Sequence, residues 1–174
     1  MSFGRKHVWL RPSGEHGVRF GLEPRLASMI VAPKAIVLPA MGECVVRNKV
    51  CAWIVLEGGT LPIVSPIGGQ VRLTNTHLAD NPHAVCLSPL DEGWMFELTI
   101  EPSAVNDADL LSKAESALVF AEDDRRFRER LSSELSRAEK TVGPTLMDGG
   151  EALENASEML GPTKYFKLVR EIYG

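Results

Sequence analysis

Residues 52–60 read Ala52-Trp53-Ile54-Val55-Leu56-Glu57-Gly58-Gly59-Thr60, and this stretch decides the fold class. Its β-branched and aromatic residues favour an extended strand, and the glycine pair that follows favours a tight reversal of the chain. A similar run, Ala35-Ile36-Val37-Leu38, precedes it and ends at a turn signal between Pro39 and Gly42. Short strands that each end in a turn indicate a sandwich or a partly open barrel. We therefore predict a mostly β domain over residues 1–106.

The C-terminal part of the chain has a different composition. Charged residues are 18 of the first 106 but 24 of the last 68, and residues 107 to about 140 contain neither proline nor glycine. An amphipathic helix capped by Asn106 or Asp107 is predicted there. Its predicted buried stripe is Leu110, Ala114, Ala117, Leu118 and Ala121. The stripe resumes out of phase at Phe127, Leu131 and Leu135, which leaves a kink or a second helix open.

Two further short helices are predicted near the C-terminus, at about 151–160 and 163–172, because glycine and proline breakers precede them. In the last of them, four apolar or aromatic residues can share one face: Tyr165, Phe166, Val169 and Tyr173. Such a face either packs on its own domain or lies in the groove of a partner protein. The whole chain is thus α+β, with a helical extension over residues 107–174.

Composition excludes several classes of function. The net charge of −4 argues against non-specific nucleic-acid binding, which needs clustered positive charge. No apolar run approaches the length of a membrane-spanning helix, and no apolar segment follows the basic residues at the N-terminus. The three cysteines are odd in number and lack a CxxC spacing, which favours a reducing cytoplasm without disulfides or zinc.

The sequence holds no recognisable catalytic or phosphate-binding motif. There is no Walker loop, no GxGxxG and no HExxH, so we predict no catalytic and no metal-binding residues. His77 and His83 could be imagined as metal ligands, but two histidines six residues apart in a loop are more often solvated. The basic residues at 125, 126, 128 and 130 alternate with acidic ones, which is typical of a solvated helix face with i,i+4 ion pairs.

The cysteines and tryptophans have a simple interpretation as packing residues. We expect Cys44, Cys51 and Cys86 to be small core or half-buried side chains, although pairing of Cys86 with His83 would make a nucleophile if a third group oriented the histidine. We interpret the three tryptophans, Trp9, Trp53 and Trp94, as core residues and not as platforms on which a ligand stacks.

Six short segments resemble, in order and spacing, those of the glycine cleavage system H-protein family, from about residue 7 to 99. They are His7-Val8-Trp9-Leu10-Arg11, Phe20-Gly21-Leu22, Val37-Leu38-Pro39-Ala40-Met41-Gly42, Ser65-Pro66-Ile67-Gly68-Gly69-Gln70-Val71 with Asn75 and Leu78 after it, Asn81-Pro82, and Glu92-Gly93-Trp94. The resemblance implies a flattened lipoyl-domain barrel or sandwich of two antiparallel sheets. It also implies a short helix near 23–30 and a C-terminal helix.

The resemblance further implies lipoate, carried in amide linkage by one lysine on an exposed hairpin. Counted back from Ser65-Pro66 without gaps, that lysine falls on Gly58, and no lysine occurs between Lys49 and Lys113. The corresponding hairpin here is Glu57, Gly58, Gly59 and Thr60, none of which can form the amide. These residues are also the tight turn that the glycines predict on their own. We therefore expect no cofactor, and Lys49 is the nearest lysine for a displaced attachment site.

The sequence thus predicts an H-protein-like protein without the lipoyl lysine, acting as a non-catalytic binding or scaffolding subunit for an unidentified protein partner. An alternative is a lipoyl-type carrier in glycine cleavage or related redox metabolism that is modified at an unexpected residue. A second alternative is a redox module that uses the cysteines, which would require a thiol with a lowered pKa.

Overall fold

Strands are the main regular structure of the N-terminal part of the chain in the computed structural model, which describes residues 1–101, 110–139 and 151–174. The described strands are β1 (Ser2–Gly4), β2 (Val8–Pro12), β3 (Gly17–Leu22), β4 (Ala35–Val37), β5 (Cys44–Val45), β6 (Val50–Leu56), β7 (Gly59–Val64), β8 (Gly69–Thr74), β9 (Phe96–Thr99) and β10 (Leu110–Leu111). Each begins or ends near one of the glycine, proline or asparagine turn signals of the sequence.

The strands form two antiparallel sheets. One has seven strands in the order β10-β1-β2-β3-β9-β8-β5, and the other has three in the order β4-β6-β7. Apolar side chains from both sheets fill the space between them; Ile54 and Leu61 of the small sheet and Phe20 and Phe96 of the large one are all fully buried. The mostly β, two-sheet architecture predicted from the sequence is confirmed.

Six described helices complete the fold: α1 (Pro24–Met29), α2 (His77–Asp80), α3 (Ala84–Leu87), α4 (Lys113–Glu139), α5 (Glu151–Leu160) and α6 (Pro162–Tyr173). The short helix near 23–30 and the two short C-terminal helices occur where they were predicted. The carboxylate of Glu23 caps α1 by accepting from the backbone N–H groups of Arg25 and Leu26. None of the described helices is both long enough and apolar enough to cross a bilayer.

The predicted start of the long helix is wrong. Leu110 and Leu111 form β10, which pairs with β1 through Phe3 and Gly4 and so satisfies backbone groups at that edge. The helix α4 begins only at Lys113, because Ser112 and Glu115 form a reciprocal cap: Ser112 N–H donates to Glu115 Oε2 (2.9 Å) and Glu115 N–H donates to Ser112 Oγ (3.3 Å). The predicted caps Asn106 and Asp107 lie outside the described residues, and so does the predicted domain boundary at residue 106.

The first part of the predicted buried stripe of α4, through Leu118, is also wrong, whereas its second part, at Phe127 and Leu131, is confirmed. Leu118 is 78% exposed, whereas Phe120, Phe127 and Leu131 are buried. The aromatic rings remove far more apolar area from water than the alanines on the predicted stripe, so they determine which face turns inward. The helix is continuous from Lys113 to Glu139, without the second helix that the change of phase left open.

The prediction that the tryptophans pack in the core holds fully for Trp9, which is buried and donates from Nε1 to the carbonyl of Pro89 (2.9 Å), and in part for Trp94, which packs against the same cluster. Trp94 is half-buried beneath the guanidinium of Arg19, 4.6 Å from the ring centroid. Trp53 is 41% exposed, so the prediction is wrong there. Its neighbour Ile54 takes the inward position, and successive residues of a strand point to opposite faces.

Candidate functional site

The candidate hairpin is built by β6 and β7, which pair from Val50↔Val64 to Leu56↔Gly59. Glu57 and Gly58 form the two-residue tip, and Gly59 and Thr60 begin the returning strand. Gly59 has φ +151°, a conformation that side-chain-bearing residues rarely adopt. The four residues singled out in the sequence therefore form the tight hairpin turn that the glycines predict.

The helix α6 lies directly on this hairpin tip. A Cβ at Gly58 would collide with the backbone carbonyl of Pro162 and would stand 2.6 Å from Cβ of Phe166. A Cβ at Gly59 would meet the ring of Phe166. Only a cavity of about 60 Å³ remains between the tip and the helix. Glycine is thus the residue that lets the hairpin and the C-terminal helix approach each other this closely.

The apolar face of α6 is buried within its own chain. Tyr165, Phe166, Val169 and Tyr173 are each at most 6% exposed. The hydroxyl of Tyr165 donates to the carbonyl of Met29 (3.0 Å), and burial raises the pKa of this phenol. Of the two outcomes that the sequence left open for this face, packing on its own domain is the one observed. As folded, these four side chains present no free surface to a partner.

A second anchor lies at the C-terminal end of α6. The hydroxyl of Tyr173 donates to Asp124 Oδ1 on α4 (3.0 Å), and the pKa of Tyr173 is raised first by burial and then by the negative charge of Asp124. Arg130 of α4 pairs with Glu171 of α6 at 3.1 Å. The long helix therefore holds the last helix in place against the core.

His7 connects these helices to the sheet. Its ring is buried, with Nδ1 3.4 Å from Glu23 Oε2 and Nε2 3.2 Å from Asp123 Oδ2. The same ring stacks on Phe120 (centroids 4.2 Å apart) and meets the edge of Tyr173 (4.7 Å). Both imidazole nitrogens are engaged by carboxylates of the fold, so His7 positions α4 and α6 rather than facing solvent.

The cysteines fall into two environments. Burial raises the pKa of Cys51 and of Cys86 to about 12, so both are neutral thiols at physiological pH and weak nucleophiles. Cys51 also donates its S–H to the carbonyl of Ile63 (3.3 Å). Cys44 is exposed, which corrects the prediction that it is a core or half-buried residue; it lies on β5, the edge strand of the large sheet, where side chains meet solvent.

The remaining residues considered in the sequence have structural surroundings. His77 and His83 are both exposed, and the described residues contain no group of three or more metal-ligating side chains. On α4 the charged face is solvated as predicted: Arg125 pairs with Glu122 and Glu129 along the helix surface. Lys49 is exposed immediately before β6, at the end of the hairpin opposite its tip.

The sequence does not show that the hairpin tip and the C-terminal helix form one site. The hairpin tip and the C-terminal helix were identified separately, and Pro162, whose carbonyl stands over Gly58, was not singled out. The available signal was indirect: two glycines at a hairpin tip permit the close approach of another backbone, and an amphipathic helix elsewhere in the chain needs a surface to cover.

Comparison with known proteins agrees with this architecture. Residues 1–124 match the family model described as glycine cleavage H-protein. A glycine cleavage system H-like protein of Chlamydia pneumoniae is 30% identical over 95 residues, which are 55% of this chain and 83% of that protein. The glycine cleavage system H protein of Anoxybacillus flavithermus is 30% identical over 115 residues, 66% of this chain and 88% of that protein.

Among solved structures, the crystal structure of a glycine cleavage system H protein from Mycobacterium marinum superposes with a TM-score of 0.59 at 25% identity, covering 67% of this chain and 92% of that one. The family match ends at residue 124, so α5 and α6 lie outside it. Because the matched residues include both sheets and the β6–β7 hairpin, the chain belongs to the glycine cleavage H-protein family.

Proposed function

We propose that this chain is an H-protein-like binding subunit that works without lipoate. The observation that carries the proposal is the covered hairpin tip, where α6 packs on Gly58 and Gly59. A protein that delivers a tethered group must expose the tether to an acylating enzyme and then to other active sites. A tip whose two glycines are half-buried against a helix of the same chain serves neither purpose.

The residues present do not fit a lipoyl group. By the family resemblance, the attachment lysine falls on Gly58, which has no side chain, and no lysine stands between Lys49 and Lys113. A longer side chain at position 58 would also have to displace the carbonyl of Pro162. We therefore assign no step of chemistry to a lipoyl arm in this chain.

A non-catalytic role agrees with how the titratable groups are used. His7 is held between Glu23 and Asp123, and the raised pKa of Cys51 and Cys86 suppresses their thiolate forms. These contacts position helices and fill the core instead of facing a substrate. The proposed activity is binding to other proteins in the cytoplasm. Because its relatives carry names from the glycine cleavage system, the proteins of that system are the first partners to test.

The carrier alternative has one specific residue in its favour. Lys49 is exposed and borders a surface groove of about 300 Å³ beside β4 and β6, so its amine is accessible to a modifying enzyme. It stands one full strand away from the tip. A carrier built on Lys49 would present its group from the opposite end of the hairpin.

Intact-mass spectrometry after incubation with lipoate ligase, ATP and lipoate distinguishes these functions. The wild-type chain is expected to keep its unmodified mass, while an H protein that accepts lipoate gains the adduct in the same reaction. A lipoyl adduct on this chain would refute the lipoate-free proposal. Loss of that adduct in Lys49→Arg would assign it to the carrier alternative.

Binding is tested separately with the unmodified chain. Purified glycine cleavage proteins from the same host are titrated against it by isothermal calorimetry, and a complex is expected without any lipoate. No complex with any of them would contradict the proposed partners, whatever the result of the mass measurement.

A further inference from the structure

The outward face of the three-stranded sheet is uncharged. Its cross-strand rows are Ala35–Val55–Thr60 and Val37–Trp53–Pro62. Val37 is 47% exposed, Val50 42% and Trp53 41%. Exposed apolar patches of this kind on a folded domain mark sites of association.

The sequence of β6 has the pattern of a strand covered on both sides. All seven residues from Val50 to Leu56 are apolar, whereas an antiparallel strand with a solvated face alternates apolar and polar residues. The large sheet of the same molecule shows the ordinary arrangement, since its outer face carries the half-exposed Arg19 paired with Glu97. The inner face of β6 is covered by the core, and the helix α6 packs at the tip end of the hairpin, on Gly58 and Gly59.

We propose that this outward face is a dimer interface, and that its occupant is the same face of a second copy of the chain. In a two-fold symmetric dimer the same surface of both copies forms the interface. A charged residue near the symmetry axis would therefore face the same charge on the second copy, and the two would repel each other. A centre made of Val37, Trp53 and Pro62 is free of that repulsion. Two antiparallel sheets pack well face to face, about 10 Å apart.

The charges around the face match those of a second copy. Glu57 follows β6 and Lys49 precedes it, so opposite charges stand at the two ends of this strand. Both are exposed, and within the described chain neither forms an ion pair. A two-fold axis that runs across the strands brings the start of each strand over the end of its copy. Lys49 then faces Glu57 of the second copy.

The inference goes beyond the proposed function, because it holds whether or not the chain accepts lipoate. Sedimentation velocity of the full chain, over a range of concentrations, is expected to show a monomer–dimer equilibrium. Trp53→Lys and Val37→Lys are each expected to abolish the dimer, since each buries a repelling pair of charges at the centre. Leu118→Lys, at a leucine 78% exposed on α4, is the matched control and is expected to dimerise like the wild type.

A charge exchange tests the orientation. Lys49→Glu and Glu57→Lys are each expected to weaken the dimer about tenfold, because each disturbs two symmetry-related pairs at the rim. The double variant K49E/E57K is expected to restore wild-type affinity. Circular dichroism checks that every variant is folded. A wild-type chain that stays monomeric, a dimer that survives Trp53→Lys, or a double variant without recovery would overturn the proposal.

Discussion

Gly58 is where the hairpin and the C-terminal helix come into contact, and its missing side chain has a measurable consequence. Gly58→Ala is expected to lower the free energy of unfolding by about 1–3 kcal/mol, because the added methyl group collides with the carbonyl of Pro162. Urea denaturation measures the change. Gly68→Ala is the control. The nearest atom to its added Cβ is the carbonyl oxygen of Val45, at 3.4 Å, so the free energy of unfolding is expected to change by no more than about 0.5 kcal/mol. Equal losses in both variants would show that α6 does not rest on the tip.

At the scale of single residues, the sequence predicted the hairpin turn correctly but did not predict which side chains are exposed. Glycine at the tip was correctly interpreted as a tight turn. Trp53 and Cys44 were assigned to the core because their residue types are usually buried, yet both face solvent. For Trp53 the register of β6 decides this, and an irregularity between Val50 and Ala52 shifts that register by one residue. Cys44 lies on the edge strand β5 of the other sheet. A shift of one residue exchanges the two faces of a strand, and composition does not report it.

At the scale of elements, the buried face of α4 gives a clear prediction. Phe127→Ala is expected to destabilise the chain by about 3–5 kcal/mol, because its fully buried ring packs against Tyr165 and Tyr173 of α6. Leu118→Ala is expected to change stability by less than about 0.5 kcal/mol, since Leu118 projects into solvent. Thermal unfolding of both variants measures the difference. A larger loss from Leu118→Ala would restore the stripe predicted from spacing.

Helices and strands were predictable where local signals mark their ends. The breakers before residue 151 and between α5 and α6 gave both C-terminal helices nearly to the residue. The start of α4 was not predictable in this way, because Leu110 and Leu111 fit a helical spacing but pair with β1, more than 100 residues earlier in the chain. A long-range partner overrides local propensity here, as it commonly does for short segments.

At the scale of the whole molecule, docking of α6 can be followed through its tyrosines, which are the two tyrosines of the chain. Burial raises the pKa of both phenols above the unfolded value of about 10, so above pH 10 the neutral form persists only while α6 is docked. Their contribution to stability is therefore complete below about pH 10 and is lost as the pH rises beyond it.

We expect tyrosinate absorbance in the native chain to appear above pH 10, together with loss of native structure by circular dichroism. The urea-unfolded chain is the reference and is expected to titrate near pH 10. Titration of both phenols near pH 10, with the native spectrum intact, would mean that α6 is not docked in solution.

The two-sheet fold was predictable from the sequence because turn signals, apolar runs and the family resemblance agree. The candidate site was predictable only in parts. The contact between Gly58 and residues 162–166 joins segments more than 100 residues apart, and neither segment contains a signal that names the other. An amphipathic pattern predicts which face of a helix is buried, but it does not predict the surface on which that face packs.

The carbonyl of Pro162 over Gly58 also constrains the order in which this molecule can evolve. Any new side chain at position 58 enters occupied space, so this position can accept one only after the terminal helix has moved or been deleted. Such a substitution therefore requires two events in a fixed order. The hairpin tip and the C-terminal helix are therefore expected to change together. Position 58 becomes free to vary in those lineages in which the C-terminal helix has diverged.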